Sequence, residues 1–172
     1  MTRRLAVCLG IACGVFALDQ ISKVEVVAHM QPYPAHTRLL GGVLTLQLIR
    51  NPGAAFGLGA SYTAIYALIA IAVIVFILRT ARRLRSPGWT ISLGLLLGGA
   101  AGNLSDRIFR APGPFQGYVV DWIKLIWFAP TFNLADTAIT FGALLAALLA
   151  VRGERIDRLR GSQPAAIKEQ IR

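Results

Sequence analysis

The chain has 172 residues, 55% of them hydrophobic, and a mean hydropathy of +0.59, which is more apolar than the roughly 45–50% of a soluble domain. This excludes an ordinary water-soluble fold and fits one membrane bundle rather than a bundle plus a soluble domain of about 100 residues. The net charge of +10 points to nucleic acid only where basic residues line a soluble face. Here their positions relative to the apolar segments assign them otherwise.

Residues 5–28 form the first apolar segment, behind Arg3 and Arg4. As a helix rising ~1.5 Å per residue it can cross a hydrocarbon core about 30 Å thick. It is too long for the apolar core of a signal peptide, has no convincing small-x-small cleavage site, and is followed by further spans. Cys8 and Cys13 match neither a CxxC pair nor a zinc spacing. His29 and His36 have no cysteine or paired carboxylates nearby in sequence, so no metal site is expected. Asp19 and Lys23, four apart, share one helical face. A charge at mid-membrane costs at least about 2.5–3.5 kcal/mol, and a mutual ion pair is the simplest relief. Structural support close to a site is the favoured reading for both.

In the loop 29–61, Gly41 to Ile49 alternates small or polar with apolar residues, a pattern of one or two short strands. Asn51-Pro52-Gly53-Ala54-Ala55-Phe56-Gly57 reads as a turn whose small side chains leave backbone groups accessible. Residues 62–78 and 89–104 are the next spans. The latter runs into Gly102-Asn103-Leu104-Ser105-Asp106-Arg107, where Arg107 is expected to pair with Asp106 and Asn103 to lie beside both. In the loop 106–132, Ala111-Pro112-Gly113-Pro114 is a turn, and Asp121 to Phe128 is expected as a strand end or a short interfacial helix. Asp121 stands in the apolar run Tyr118 to Ile123 with no base nearer than Lys124, so it requires a partner or a proton. Residues 134–151 form the fourth span; Asn133 and Asp136 at its start are spaced as a capping box. The basic segment 152–172 follows.

Twelve of the eighteen basic residues precede the first span, join the second to the third, or follow the fourth. The positive-inside rule therefore predicts cytoplasmic termini and leaves the carboxylates at the outer face. Small residues four apart, at Gly10 and Gly14, at Gly94, Gly98 and Gly102, and at Gly142, Ala146 and Ala150, predict closely packed helices. No nucleophile-elbow serine is present, and adjacent Ser22 and Lys23 point about 100° apart on a helix, which disfavours a Ser-Lys dyad. Carboxylates remain as the chemistry. Three other readings stay open on the residues alone: an ion-binding transporter, a Mg²⁺-dependent lipid phosphotransferase using Asp106, Asp121 and Asp136, and an inactive scaffold.

In order and spacing, five blocks resemble the lipoprotein signal peptidases, the signal peptidase II family: Asp19-Gln20-Ile21-Ser22-Lys23, Asn51 to Phe56, Gly102 to Arg107, Val119-Val120-Asp121-Trp122 and Phe132-Asn133-Leu134-Ala135-Asp136. Any one block is weak; five in order are specific. The resemblance implies Asp121 and Asp136 as catalytic residues, with Asp19, Lys23, Asn51, Gly53, Asn103, Asp106, Arg107, Asn133 and Ala135 in support. It implies an all-α four-helix membrane bundle carrying a small periplasmic β-cradle and a short periplasmic interfacial helix near residues 122–128. The activity implied is an aspartyl endopeptidase of the bacterial inner membrane, with no metal or cofactor. Its substrate would be a diacylglyceryl-modified prolipoprotein, cut on the N-terminal side of the lipidated cysteine. Membrane lipid is the other implied partner, with no nucleic acid and no obligatory protein partner. Gly57, Trp122 and Ser105 stand where the family more often has serine, phenylalanine and an aliphatic residue, departures that bear on substrate preference.

Overall fold

The computed structural model describes residues 3–30, 36–53 and 63–156. Residues 54–57 of the turn block and 157–172 of the basic tail lie outside the described residues. Four helices form the bundle: α1 (Arg3–His29), α2 (Thr63–Ala81), α3 (Pro87–Phe109) and α4 (Leu134–Val151). Helices α1, α2 and α4 are long and apolar enough to cross a membrane, and no more than 22% of each apolar stretch is buried inside the protein. Their outer faces therefore require a hydrocarbon solvent. Helix α3 has 23 residues, about 34 Å of helix, but is richer in Gly, Ser, Thr and charge. It packs against each of the other three; a helix sheltered by protein needs fewer apolar side chains than one facing lipid.

Glycines set how closely α3 approaches its neighbours. A Cβ added at Gly94 would lie 2.9 Å from Ile11 Cβ, and one at Gly98 would lie 2.7 Å from the Ala12 carbonyl oxygen. On the opposite side Gly142 of α4 meets α3, where Ser92 Oγ donates to the Gly142 carbonyl at 2.8 Å. The expected stripe on α1 is different: Gly10 and Gly14 face open space, and α1 receives the α3 glycines with Ile11, Ala12 and Val15. At its start α3 carries Pro87 in the first turn, and the Ser86 side chain accepts from the Trp89 amide.

A four-stranded antiparallel sheet covers one end of the bundle in the order β1 (His36–Leu39), β2 (Leu44–Asn51), β3 (Val119–Leu125), β4 (Thr131–Phe132). The alternating stretch after Gly41 thus continues as β2 to Asn51, and β1 precedes it. The interfacial helix expected near 122–128 is not what forms: β3 holds its ladder with β2 through Lys124 opposite Thr45 and Leu125 opposite Leu44. A turn at Ile126 and Trp127 follows. Too few residues remain before Pro130 for a helix, and the β-branched pair Val119 and Val120 favours the pleated surface.

A register shift between Leu46 and Ile49 bends β2, setting Ile49 opposite Asp121 and Asn51 opposite Val119. Met30, Leu48 and Val120 pack with Val26 and Val27 to seat the sheet on the end of α1. The Val120 amide also donates to Asp106 Oδ2 at 3.2 Å, tying β3 to α3.

Candidate active site

Three separate pieces of chain converge under the sheet. Strand β3 brings Asp121, the first turn of α4 brings Asp136, and the end of β2 brings Asn51. The local cause at α4 is its cap: Asn133 Oδ1 accepts from the Asp136 amide at 2.9 Å, and the Asn133 amide donates to Asp136 Oδ2 at 3.3 Å, completing the capping box. The capping residue also reaches outward. Its Nδ2 donates to Asp121 Oδ1 at 2.7 Å and to Asn103 Oδ1 at 3.2 Å. One asparagine therefore binds both carboxylates, which come from two different elements, β3 and α4.

The remaining lone pairs are met in the same manner. Asn51 Nδ2 donates to Asp121 Oδ2 at 2.9 Å, and Asn103 Nδ2 donates to Asp136 Oδ1 at 2.7 Å. Among the described residues neither carboxylate forms a salt bridge. Asp121 is 2% exposed, and burial, with the nearby Asp136 charge adding to it, pushes its carboxyl up to about 7 against the opposing effect of the Asn51 and Asn133 hydrogen bonds and the Lys23 charge.

Next to this pair lies an ionic cluster of another kind. Lys23 Nζ is 2.8 Å from Asp19 Oδ2 and 2.8 Å from Asp106 Oδ2, and all three side chains are fully buried. Arg110 Nε closes on Asp106 Oδ1 at 2.6 Å. Lys23 also donates to Asn103 Oδ1 at 3.1 Å, linking the cluster to the pair. Asp19 Oδ1 accepts from the Ala135 amide at 2.9 Å, fixing where α4 begins relative to α1. A Cβ at Gly102 would lie 2.5 Å from Asp19 Oδ2.

The expected Asp106–Arg107 pair is corrected: the cation on Asp106 is Arg110, one helical turn on, together with Lys23. Adjacent residues on a helix face different ways. Arg107 points instead to the turn after β2, donating to the Gly53 carbonyl at 2.7 Å, with its guanidinium 5.3 Å from the Tyr66 ring centre. Asn103 likewise turns from Asp106 and Arg107 towards Lys23, Asn133 and Asp136. The Gly53 amide donates to Asn51 Oδ1 at 3.0 Å, which orients the amide that reaches Asp121.

All eleven predicted site residues thus lie in one connected hydrogen-bond network. Sequence reasoning missed three participants. Arg110 stands at i+4 from Asp106, a readable signal. Gln20 donates to Asp19 Oδ2 at 3.1 Å and to the Gly102 carbonyl at 3.1 Å, and stood unassigned inside the first motif block. Thr63 donates to the Pro52 carbonyl at 2.6 Å, with no signal in the sequence.

A cavity of about 710 Å³ opens onto the pair. Asn51, Gly53, Asn103, Arg107, Asp121 and Asp136 form its polar side; Leu125, Trp127, Phe128, Phe132, Ile139 and Phe141 form its apolar side. Such a cleft accepts an extended segment with a polar backbone and greasy attachments. The described residues contain no group of three or more His, Cys, Asp or Glu able to hold a metal ion.

Comparison with known proteins identifies the family by sequence and the fold by structure. The model of the family "Signal peptidase (SPase) II" matches residues 11–152. A lipoprotein signal peptidase of Streptomyces coelicolor is 52% identical over 151 residues, 88% of this chain and 73% of that protein. One of Mycobacterium tuberculosis strain H37Rv is 44% identical over 155 residues, 90% of this chain and 76% of that protein. Two solved bacterial membrane enzymes share the fold, at TM-scores of 0.74 and 0.71 with 22% and 24% identity, covering 92% and 86% of this chain and 95% and 94% of theirs. With the family model matching residues 11–152 and relatives near half identical over most of their length, this chain belongs to the signal peptidase II family of aspartic endopeptidases.

Proposed function

We propose that Asp121 and Asp136 are the catalytic pair, and that they cut diacylglyceryl-modified prolipoproteins on the N-terminal side of the lipidated cysteine. The observation that carries this reading is that two carboxylates from separate elements are held by neutral amides on the wall of one half-apolar cavity. Such donors orient a carboxylate without adding a positive charge.

Two close carboxylates share one proton more readily than they both ionise. Asp121, with its carboxyl near 7, carries the shared proton in this reading and hydrogen-bonds the scissile carbonyl oxygen. Asp136 removes a proton from the attacking water. The tetrahedral intermediate then collapses as the leaving amine takes a proton from the pair. Asn51, Asn103 and Asn133 hold the two carboxyl groups in place. Asp19, Lys23 and Asp106 fix the relative positions of α1, α3 and α4, and Arg107 holds the Gly53 turn beside the cleft.

The sheet end is assigned to the outer face of the bacterial inner membrane and both termini to the cytoplasm, because Arg82, Arg83 and Arg85 of the α2–α3 connection and Arg152 and Arg155 after α4 lie at the opposite end. A cysteine anchored by acyl chains sits at that outer interface, within reach of the cavity's apolar side. The test is cleavage of lipidated and unlipidated prolipoprotein by the purified protein, with and without a chelator. Cleavage of the lipidated form alone, unaffected by chelation, is expected. Equal cleavage of the unlipidated form, or loss of activity with the chelator, overturns the reading.

A further inference from the structure

At the end of the bundle away from the carboxylates, the chain builds a second cavity. Helix α4 ends at Val151 and the backbone reverses at Gly153, whose φ of +68 favours glycine. The segment beyond does not leave the bundle. The Ile156 carbonyl accepts from the Arg85 amide at 2.9 Å, and the Glu154 carbonyl accepts from Trp89 Nε1 at 2.9 Å. These bonds fasten the segment to the α2–α3 connection, and a cavity of about 680 Å³ lies where α2, the start of α3 and this segment meet.

Its walls divide by chemistry. Phe76 and Ala150 supply an apolar side along the spans, while Arg79 and Arg83, with Arg155 and Glu154, supply a polar rim. Trp89 also lines the cavity, as suits an aromatic side chain at a headgroup boundary. Arg79 in the last turn of α2 and the three arginines of the α2–α3 connection serve equally as a topology signal, but only Arg79 and Arg83 of them line the cavity, whereas Arg82 and Arg85 do not. A basic rim above an apolar wall at the end of membrane-crossing helices matches one class of ligand, an anion carried on acyl chains.

We propose that this cavity binds the headgroup phosphate of an anionic phospholipid, with Arg79 and Arg83 on the phosphate and the acyl chains running along Phe76. The site is separate from the carboxylate pair and does not depend on the catalytic reading.

The test is native mass spectrometry of the full chain released from nanodiscs holding equal phosphatidylglycerol and phosphatidylcholine with matched acyl chains. Preferential retention of phosphatidylglycerol is expected, weakened on the order of tenfold in the double variant Arg79→Gln/Arg83→Gln. Arg82→Gln/Arg85→Gln removes the same charge from the same connection and should retain the lipid as the parent does. Thr80→Asp keeps every arginine but adds an anion to the cavity wall, and should abolish retention. Melting midpoints in phosphatidylcholine alone report whether each variant folds. Equal retention of the two lipids, equal loss in both arginine variants, or unchanged retention in Thr80→Asp overturns the site. Inorganic phosphate raising the melting midpoint as much as phosphatidylglycerol does would overturn the lipid as its ligand.

Discussion

Four buried or half-buried aspartates lie within one network, yet their partners differ in kind. Asp19 and Asp106 are tied to Lys23, and Asp106 also to Arg110, through N–O distances of 2.6–2.8 Å. Asp121 and Asp136 are met by asparagine side chains and a backbone amide. A cation beside a carboxylate strongly favours one protonation state, whereas an amide supplies a hydrogen bond of about 0.5–1.5 kcal/mol net and leaves the proton exchangeable. The first arrangement is suited to holding helices and the second to moving protons, although the two are separated only by Asn103.

Exchanging the carboxylates for their amides should separate the two arrangements most strongly. Asp121→Asn or Asp136→Asn should lower cleavage of lipidated prolipoprotein on the order of 10⁴-fold in single-turnover assays while the protein still folds. Asp19→Asn should act first on stability, and a 10⁴-fold catalytic loss without destabilisation there would erase the distinction. Next in size, Lys23→Met leaves buried Asp19 without its cation and Asp106 with Arg110 alone, and should destabilise by about 3–5 kcal/mol in denaturant unfolding. An Asn51→Ala variant, losing one neutral donor to Asp121, should cost less than half of that.

The pH dependence sharpens the contrast further. In the folded protein Asp121 titrates at about 7 against a reference of 3.8, so between these values the fold retains a proton that the unfolded chain releases. Its contribution to stability is fully present below about 4 and lost as pH rises through 7. The melting midpoint should fall over that window, and Asp121→Asn should flatten the fall. Activity should decline about tenfold per unit well above pH 7 as the shared proton leaves the pair. The smallest effect expected is Arg107→Lys, which keeps the charge but loses the fork on the Gly53 turn; it should cost about 1 kcal/mol, seen as a raised KM with kcat little changed.

The helices were legible because lipid demands long apolar runs, and the capping box at Asn133 because it is local, three residues wide. The Asp19–Lys23 pair was legible for the same reason. Strand β1 was not: His36 to Leu39 are exposed throughout and carry no alternation to read. The stretch after Asp121 was ambiguous because a short apolar run suits helix and strand alike, and its pairing with Leu44 and Thr45 is a long-range fact. Arg107 was assigned to the wrong partner because adjacency in sequence is not adjacency on a helix. The double role of Asn133, cap and bridge, needed the sheet to bring Asp121 within 2.7 Å of it.

The glycine face of α3 limits how this site can drift. At Gly99 a methyl would stand 2.5 Å from the Ala135 carbonyl oxygen, and at Gly102 the same distance from Asp19 Oδ2. The space that lets a carboxylate on α1 reach past α3 to the Ala135 amide of α4 is a single missing carbon. Outward-facing positions such as Leu18, Ile21 and Leu144, each above 60% exposed, can exchange one oily residue for another. A change at Gly102 that alters no charged, hydrogen-bonding or catalytic side chain would still force α1 and α4 apart, so the positions least tolerant of substitution include two that contribute no functional group at all.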